Sequence, residues 1–362
     1  MARSGPGRRP SGRARISDVA AAAGVSPSTA SLAFSGAGPV AAATRQRVLA
    51  AAADLGYAGP DPTAVSLRCG RSGVVGVVVG ERLRDAFRDP YVVAFLDGLV
   101  DELAGAGLAI LLLPMTRDLD APPAEQYRTA PMDAAVFATG GLPGDPALAV
   151  LTRRGVPVVS VEGPDVPGAS VVRVDDRAGT AEAVRHLLAL GHRDVAVVTF
   201  QWRLDGTEGP LSPQRRAAGG FTDTVNRLQG VHDVLVPSLV WECSSNTVER
   251  GREAGRRALD VPADRRPTAV LAQSDVLAAG VVQACADLGL RVPADVSVVG
   301  FDGVSVPWLA PHVLTTVVQP VVDKARATAE LVLARLAGGG RAETMVHVWL
   351  RSGTTTGPAP AR

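Results

Sequence analysis

Near the start of the chain, apolar residues recur at helical spacing in two short segments separated by a single Gly-Val-Ser. A lone glycine in an alanine-rich helix costs about 1 kcal/mol relative to alanine, so Gly24 indicates a turn through a conformation that alanine resists. Ser26 then caps a second helix, and Pro27 occupies its first position, where a missing N–H costs nothing. The apolar residues available for a small shared core are Val19, Ala20, Ala23, Val25, Ala30 and Phe34. This pattern predicts a helix-turn-helix, whose second helix can enter a DNA major groove.

A third amphipathic segment follows, AATRQRVLAAAADLGY, which ends near Gly56. Its apolar residues at helical spacing are Val48, Leu49, Ala52 and Leu55. We therefore predict a third helix that completes the small core. The next residues, AGPDPTAVSLRCGRS, have the Pro and Gly content of a linker. Within it, residues 63–68 could form one or two helical turns, too few to be stable in water alone.

The pattern changes at Gly73, where GVVGVVVG is a continuous apolar run. Such a run is typical of a parallel strand that is buried on both faces. Further strand-like runs alternate with helical patterns to beyond residue 300, which predicts two doubly wound parallel sheets. Neither half has a G-x-G-x-x-G after its first strand, so a dinucleotide-binding fold lacks support.

Charge is distributed unevenly along the 362 residues. Residues 1–72 contain nine arginines and three aspartates, a net charge of +6, which leaves −5 on the remainder of a chain of net charge +1. A basic head on an acidic body is expected when only the head meets a polyanion. Residues 1–14 are mostly Gly, Pro, Ser and Arg and predict a disordered arm, which could also add phosphate contacts.

Cysteine and histidine usage narrows the chemistry. The cysteines Cys69, Cys243 and Cys285 are odd in number and far apart, and the histidines lack ligand spacing, so we predict no disulfide framework and no metal site. We also expect no cofactor. No apolar stretch has membrane-spanning length, and MARSGPGRRPSGRAR lacks the apolar core of a secretory signal. We expect a cytoplasmic, nucleoid-associated protein.

Known catalytic motifs are absent from the sequence, which has no nucleophile elbow, P-loop or H-E-x-x-H. The acid pairs in GERLRD and DDRAGTAE are expected to be solvated loop charges. A regulator is therefore the leading interpretation. The alternative is a cytoplasmic sugar-binding protein or α/β enzyme with an incidental N-terminal helical domain.

The chain from about residue 15 to 356 resembles the LacI/GalR family of transcriptional regulators. The matches to its opening pattern are Asp18-Val19-Ala20, Ala23-Gly24-Val25-Ser26, Thr29, Ser31, Thr44-Arg45, Val48 and Leu55-Gly56-Tyr57. Ala64, Leu67 and Gly70-Arg71-Ser72 match its hinge, and VDDRAG, HLLALGHRDVAVV and SDVLAAGVVQACADLGLRVPADVSVVGFD resemble signatures of its body. The chain departs from the family at Arg15, where a helix cap is usual, so Ser17 is expected to cap a shorter helix.

The resemblance implies an α/β fold with an N-terminal three-helix DNA-binding head. The rest forms a two-lobed, periplasmic-binding-protein-like sensor. The boundaries are a basic disordered arm at 1–14, the helix-turn-helix domain at 15–60, a hinge at 61–72, and the effector-binding and dimerisation domain at 73–356.

The exposed start of the second helix and the hinge are expected to contact DNA. The family match implies that Leu67 enters the minor groove as a wedge. The predicted DNA-contacting residues are Ser17, Ser26, Pro27, Ser28, Thr29, Ser31, Leu32, Ser35, Thr44, Arg45, Tyr57, Ala64 and Leu67.

Effector contacts are expected in the cleft, at the carboxyl ends of the strands. The family's R-x-x-G contact fits Arg227 with Gly230, and Arg216 with Gly219 is a second fit. The predicted effector-binding residues are Asp89, Tyr91, Arg227, Ser274, Asp275, Phe301 and Asp302. An aspartate with an arginine suits vicinal hydroxyls. The resemblance thus implies a homodimeric repressor of a pseudo-palindromic double-stranded operator, controlled by a small metabolite, a carbohydrate or a derivative of one.

Overall fold

A computed structural model describes residues 14–36, 38–60, 65–66, 69–80, 83–115, 125–138, 144–163 and 166–361. The chain divides into two compact units between Ser72 and Gly73. The predicted hinge contacts Ala64 and Leu67 lie outside the described residues. Of the helices in the described part of the chain, none combines the length and the apolar character that a membrane crossing requires.

The first unit contains the predicted helices α1 (Ile16–Ala23), α2 (Pro27–Ser35) and α3 (Ala42–Asp54). Gly24 has a φ of 65°, the left-handed conformation that alanine resists, so the turn occurs where it is predicted. The Ser26 hydroxyl accepts a hydrogen bond from the Thr29 backbone N–H at 3.1 Å and caps α2. The predicted helix-turn-helix is therefore confirmed in its helices, its turn and its cap.

The core of this unit differs from the prediction at α3. Val48 and Ala52 are buried, but Leu49 is 44 % exposed and Leu55 is 42 % exposed. Because a helix turns 100° per residue, Leu49 faces away from the side that Val48 buries. The predicted Ser17 cap is also wrong, because α1 begins after Arg15, whose backbone N–H donates to Asp18 Oδ2 at 2.8 Å.

The second unit consists of two lobes, each built around a sheet. Lobe 1 comprises residues 73–174 and 321–346, and its six-stranded sheet is parallel throughout, in the order β12-β5-β4-β3-β1-β2. Its strands are β1 (Val74–Val79), β2 (Ala109–Pro114), β3 (Ala134–Phe137), β4 (Val158–Val161), β5 (Ser170–Val174) and β12 (Glu343–Val346). Its helices are α4 (Leu83–Ala86), α5 (Pro90–Gly105), α6 (Gln126–Thr129), α7 (Pro146–Arg153) and α13 (Val321–Leu336).

Lobe 2 comprises residues 176–318 and 349–361, with the sheet order β13-β11-β10-β9-β6-β8-β7. Its strands are β6 (Val195–Thr199), β7 (Gly209–Pro210), β8 (Leu239–Glu242), β9 (Ala269–Ala272), β10 (Ser297–Asp302), β11 (Thr315–Val318) and β13 (Trp349–Arg351). Its helices are α8 (Asp176–Ala189), α9 (Pro213–Ala217), α10 (Thr222–His232), α11 (Val248–Leu259) and α12 (Asp275–Asp287). The doubly wound prediction is confirmed, although the edge strands β7 and β13 are antiparallel to their neighbours.

Helices α11 and α12 of lobe 2 approach each other at backbone distance. A Cβ added to Gly280 would lie 2.2 Å from the Val248 carbonyl oxygen, and one added to Gly251 would lie 2.3 Å from the Leu277 carbonyl oxygen. The absence of side chains at these two positions therefore sets how closely the helices pack.

The described residues connect the two lobes at three places. The chain passes from β5 to α8 near Asp176, from β11 to α13 near Gln319, and from β12 to β13 at residues 347–348. The C-terminal segment is part of lobe 2, since Thr355 Oγ1 donates to the Val298 carbonyl at 2.7 Å.

Candidate functional site

A polar cavity of about 60 Å³ lies between the two lobes, at the carboxyl ends of their strands. Residues from both lobes line it, and the predicted residues among them are Asp89, Tyr91, Arg227, Ser274 and Asp302. The structure therefore brings together five of the seven residues that the sequence suggested for effector binding.

Arg227, on α10, is the central cation of this site and is 3 % exposed. Its Nε donates to Asp176 Oδ1 at 2.8 Å and its Nη1 donates to the Gln273 carbonyl at 2.6 Å. The guanidinium lies 3.7 Å from the centroid of the Phe301 ring, a cation–π distance. Phe301 thus packs against the Arg227 guanidinium and does not line the cavity itself.

Two strained residues place carboxylates beside Arg227 from opposite lobes. Glu162 follows β4 with a φ of 53°, and Asp302 ends β10 with a φ of 117°, both in a region that non-glycine residues rarely adopt. Each has an oxygen 3.6 Å from an Arg227 nitrogen. Lys324 Nζ completes the network, 2.8 Å from Glu162 Oε2 and 2.5 Å from Gln319 Oε1. Strain of this kind is retained where the surroundings hold the residue in place, often at a functional site.

A second polar bridge joins the lobes at the start of α5. Asp89 caps α5 by accepting from the Tyr91 backbone N–H at 2.8 Å. Its other oxygen accepts from Asn246 Nδ2 of lobe 2 at 2.8 Å, and Asn246 Oδ1 accepts from the Ser274 hydroxyl at 2.5 Å. This chain of hydrogen bonds fixes Asp89 and Ser274 on facing walls of the cavity.

Asp275 does not line the cavity, which corrects its assignment as an effector contact. It is fully buried, and its carboxylate accepts from the Thr316 hydroxyl at 2.5 Å and from the Val304 backbone N–H at 2.9 Å. Ser274 caps α12, and Asp275, the first residue of the helix, is turned toward β11. Its role in the structure is to connect α12 with β11 and the loop after β10.

Burial of several carboxyl groups in one place shifts their titration. It raises the pKa of Asp176 to about 7, with Arg227 opposing the shift. Burial likewise raises the pKa of Asp89 and Asp223 to about 6, and that of Asp302 well above its ordinary value. Lys324 and Arg227 instead hold the pKa of Glu162 below its usual value, against the effect of its burial. A carboxyl without a compensating cation resists ionisation in a desolvated site.

Several residues of the site were not predicted from the sequence: Glu162, Asp176, Gln201, Asp223, Asn246 and Lys324. Glu162 directly follows the predicted strand VPVVSVEG, so the rule that selected Asp302 could have selected it. The expectation of solvated loop charges is wrong for Asp176, which is 2 % exposed.

The two candidate arginines occupy different environments. Arg216 is exposed and lines a separate surface groove with Trp202 and Leu228. Arg227 lines the interlobe cavity.

In the first unit, the predicted DNA contacts fall into two groups. Pro27, Ser28, Ser31 and Leu32 are exposed on α2 and Ser17 is exposed on α1, while Thr29, Thr44 and Arg45 are half-buried. Ser26 is exposed, but its hydroxyl is engaged in the cap of α2. Ser35 is the last residue of α2.

Tyr57 is assigned differently by the structure. It is 7 % exposed, and its ring packs edge-on against Phe34 with centroids 5.2 Å apart. Its prediction as a DNA contact is therefore corrected to a core position.

Two family profiles match the chain. Residues 15–59 match the bacterial regulatory proteins of the lacI family, and residues 184–354 match a periplasmic binding protein-like domain. An HTH-type transcriptional regulator of Mycobacterium tuberculosis is 34 % identical over 359 residues, covering 96 % of this chain and 98 % of the relative.

Solved structures give the same likeness. The lac repressor dimer bound to operator and the anti-inducer ONPF is 25 % identical, with a TM-score of 0.75, over 96 % of this chain and 100 % of that one. A complex of the transcriptional regulator CelR with cellobiose is 26 % identical, with a TM-score of 0.64, over 95 % of this chain and 100 % of that one.

Proposed function

The chain belongs to the LacI family of bacterial transcriptional regulators, and from that premise we propose that it is a homodimeric repressor whose effector binds between the two lobes. The CelR complex supports a hydroxylated effector, since that relative binds cellobiose. The regulator acts by binding rather than by catalysis, in the cytoplasm, where its operator is.

The observation that carries the proposal is the composition of the interlobe cavity. Both lobes contribute hydrogen-bonding side chains to one cavity, with Asp89 and Glu162 on lobe 1 and Arg227 and Asp302 on lobe 2. We assign Arg227 rather than Arg216 as the arginine that faces the effector. A ligand that contacts both lobes binds one lobe arrangement better than the other, and this difference is what allows it to shift operator affinity.

DNA recognition is assigned to the first unit. The start of α2 carries the exposed Ser28 and the half-buried Thr29, whose hydroxyls can donate or accept at base edges. Leu32 is 40 % exposed on the same helix and supplies an apolar contact, such as one with a thymine methyl group. One head contacts too few bases for useful specificity, and a dimer doubles the contact surface.

The test uses operator DNA selected from a random pool by the full chain. Fluorescence anisotropy then measures operator binding with and without each member of a sugar and nucleoside panel. The expected result is binding by the full chain, its loss on deletion of residues 1–72, and a change in operator affinity with at least one sugar. A chain that selects no DNA sequence contradicts the proposal.

A matched pair of variants tests the arginine assignment. Arg227→Met removes the cation from the cavity, and Arg216→Met removes an exposed arginine of the same lobe. Loss of the effector response is expected in the first variant alone. Loss in the second alone overturns the assignment of Arg227.

A further inference from the structure

The interlobe cavity contains more negative than positive groups. Asp89, Glu162, Asp223 and Asp302 line it, and Asp176 lies directly behind Arg227. All five carboxyl side chains are less than 10 % exposed. The buried cations of the described network are Arg227 and Lys324.

Two of these acidic side chains, Asp223 and Asp89, have no basic partner among the described residues. Asp223 accepts a hydrogen bond from the Thr224 backbone N–H at 2.8 Å, and Asp89 accepts from Asn246 and the Tyr91 backbone. Neither forms an ion pair with a basic side chain in the described part of the chain. A buried carboxylate without a cation is costly, and its neighbours of like charge increase the cost.

Acceptor atoms in the same cavity also lack donors. Glu162 Oε1 and Gln201 Oε1 are buried, and neither accepts a hydrogen bond among the described residues, although Glu162 Oε1 lies 3.6 Å from an Arg227 nitrogen. Both residues line the cavity. A buried acceptor that is left unpaired costs free energy, so these two oxygens indicate that the bound molecule supplies N–H or O–H donors there.

From this imbalance, and resting on the proposed effector site, we propose that the effector carries a protonated amine on a hydroxylated scaffold, as an amino sugar or an aminocyclitol does. An ammonium group provides three donors and no acceptor, which matches oxygens that have no donors. Its charge also offsets the unpaired carboxylates, which a neutral hydroxyl cannot do. The hydroxyls of the scaffold are left for Arg227 and the Tyr91 phenol.

A metal ion does not account for the cluster equally well. In the parts of the chain that the structure describes, no group of three or more His, Cys, Asp or Glu side chains is arranged to hold one. The carboxylates are distributed around the cavity and do not converge on one point, which suits a molecule with several polar groups.

The test compares probes that differ only in the amine. Serinol is glycerol with its central hydroxyl replaced by an amine, and D-glucosamine has the same relation to D-glucose. N-acetyl-D-glucosamine keeps the nitrogen but removes its charge. Affinities of the full-length protein for each probe are measured at pH 7 by calorimetry, with thermal shift as a second readout. We expect each amine to bind at least about tenfold tighter than its neutral partner, and N-acetylation to remove the advantage.

Variants connect the preference to the cavity. Asp223→Asn removes one unpaired carboxylate and should reduce the amine-to-hydroxyl affinity ratio to about threefold or less. Asp264→Asn, at an exposed position of lobe 2, removes the same charge far from the cavity and should leave the ratio unchanged. If the Asp223 variant does not fold, Asp89→Asn takes its place.

The possible outcomes separate this inference from the proposed function. Equal or tighter binding of the neutral partners, or no binding of either amine, overturns the inference. If a neutral sugar then shifts operator affinity and its amine counterpart does not, the repressor function stands without it. Failure of the chain to select an operator refutes the proposed function whatever the amine preference is.

Discussion

Asp89 of lobe 1 accepts a hydrogen bond from Asn246 of lobe 2 at 2.8 Å, so this side-chain pair joins the two lobes beside the cavity. Asn246→Asp replaces the donor with a second carboxylate at nearly unchanged size. Like charges at this distance repel, so we expect the ligand-free lobes to open. Small-angle scattering should report a larger radius of gyration for this variant, but not for Asn226→Asp, which adds a charge on α10. An unchanged radius for Asn246→Asp contradicts a role for the pair in holding the lobes together.

The reassignment of Asp275 predicts an effect on folding. Asp275→Ala leaves the Val304 N–H and the Thr316 hydroxyl without their buried acceptor, so the free energy of unfolding should fall by about 1–3 kcal/mol. Urea denaturation measures this, and Asp264→Ala at an exposed site is the control, expected within about 0.5 kcal/mol. Unchanged stability together with a lost effector response would return Asp275 to the binding site.

The close packing of α11 on α12 predicts intolerance at one glycine. Gly280→Ala places a methyl group 2.2 Å from the Val248 carbonyl oxygen, so the helices must move apart. Overpacking of this kind costs about 1–3 kcal/mol. Gly105→Ala is the matched control, since no heavy atom lies within 4 Å of its added Cβ and alanine favours the helix. Denaturation midpoints should move in opposite directions for the two variants.

Stability of the ligand-free protein should fall as the pH rises from 6.5 to 8.5. Burial raises the pKa of Asp176 to about 7 and that of Asp223 to about 6, above the value near 3.9 of an unfolded aspartate. The folded state therefore holds protons that the unfolded state has lost, and it loses this advantage as the pH rises through the folded pKa. The three histidines with lowered pKa, His186, His192 and His232, act in the opposite direction near pH 6.5, because the unfolded state still binds protons there, and they reduce the fall without reversing it.

Each 1 kcal/mol of lost stability lowers the melting temperature by about 1–2 °C in a protein of this size. Differential scanning fluorimetry in buffers of equal ionic strength measures it. Asp223→Asn should flatten the profile, and a steeper fall in that variant contradicts the assigned cause.

Substitutions at two predicted DNA-contacting residues should affect operator binding and its salt dependence differently. Leu67→Ala removes the predicted minor-groove wedge and should weaken specific operator binding far more than non-specific binding. Arg45→Ala removes a predicted phosphate contact, so it should weaken both and reduce the slope of log affinity against log salt by about one. Anisotropy titrations over a range of salt concentrations compare them. Parallel losses in the two variants contradict this division of roles.

Much of the fold follows from local patterns in the sequence. The run VVGVVV forms the buried strand β1, and Gly24 and Ser26 define the turn and cap between α1 and α2. Leu49 shows where a local pattern is insufficient. Val48 and Leu49 are adjacent and both apolar, and which of them is buried depends on the rotation of α3 against its neighbours.

The site was predictable only in part for the same reason. Asp302 was found because it ends the strand β10, and Asp89 because it directly precedes Pro90, where α5 begins. Ser274 and Asp275 are adjacent at the start of α12, and long-range packing against β11 decides that Asp275 faces away from the cavity. Lys324 reaches Glu162 only because the chain returns to lobe 1 at α13, a relationship between residues 162 positions apart that no local pattern contains.

The three connections between the lobes have a mechanical consequence. Two lobes joined by one chain connection can tilt, twist and slide relative to each other. Three connections restrict this motion mainly to rotation about the line that passes through them. Asp176 and Gln319 lie in two of these connections, and they contact Arg227 and Asp302, respectively. A ligand that displaces the Arg227 guanidinium therefore acts directly on the interlobe connections. A small displacement there produces the largest movement at the far ends of the lobes.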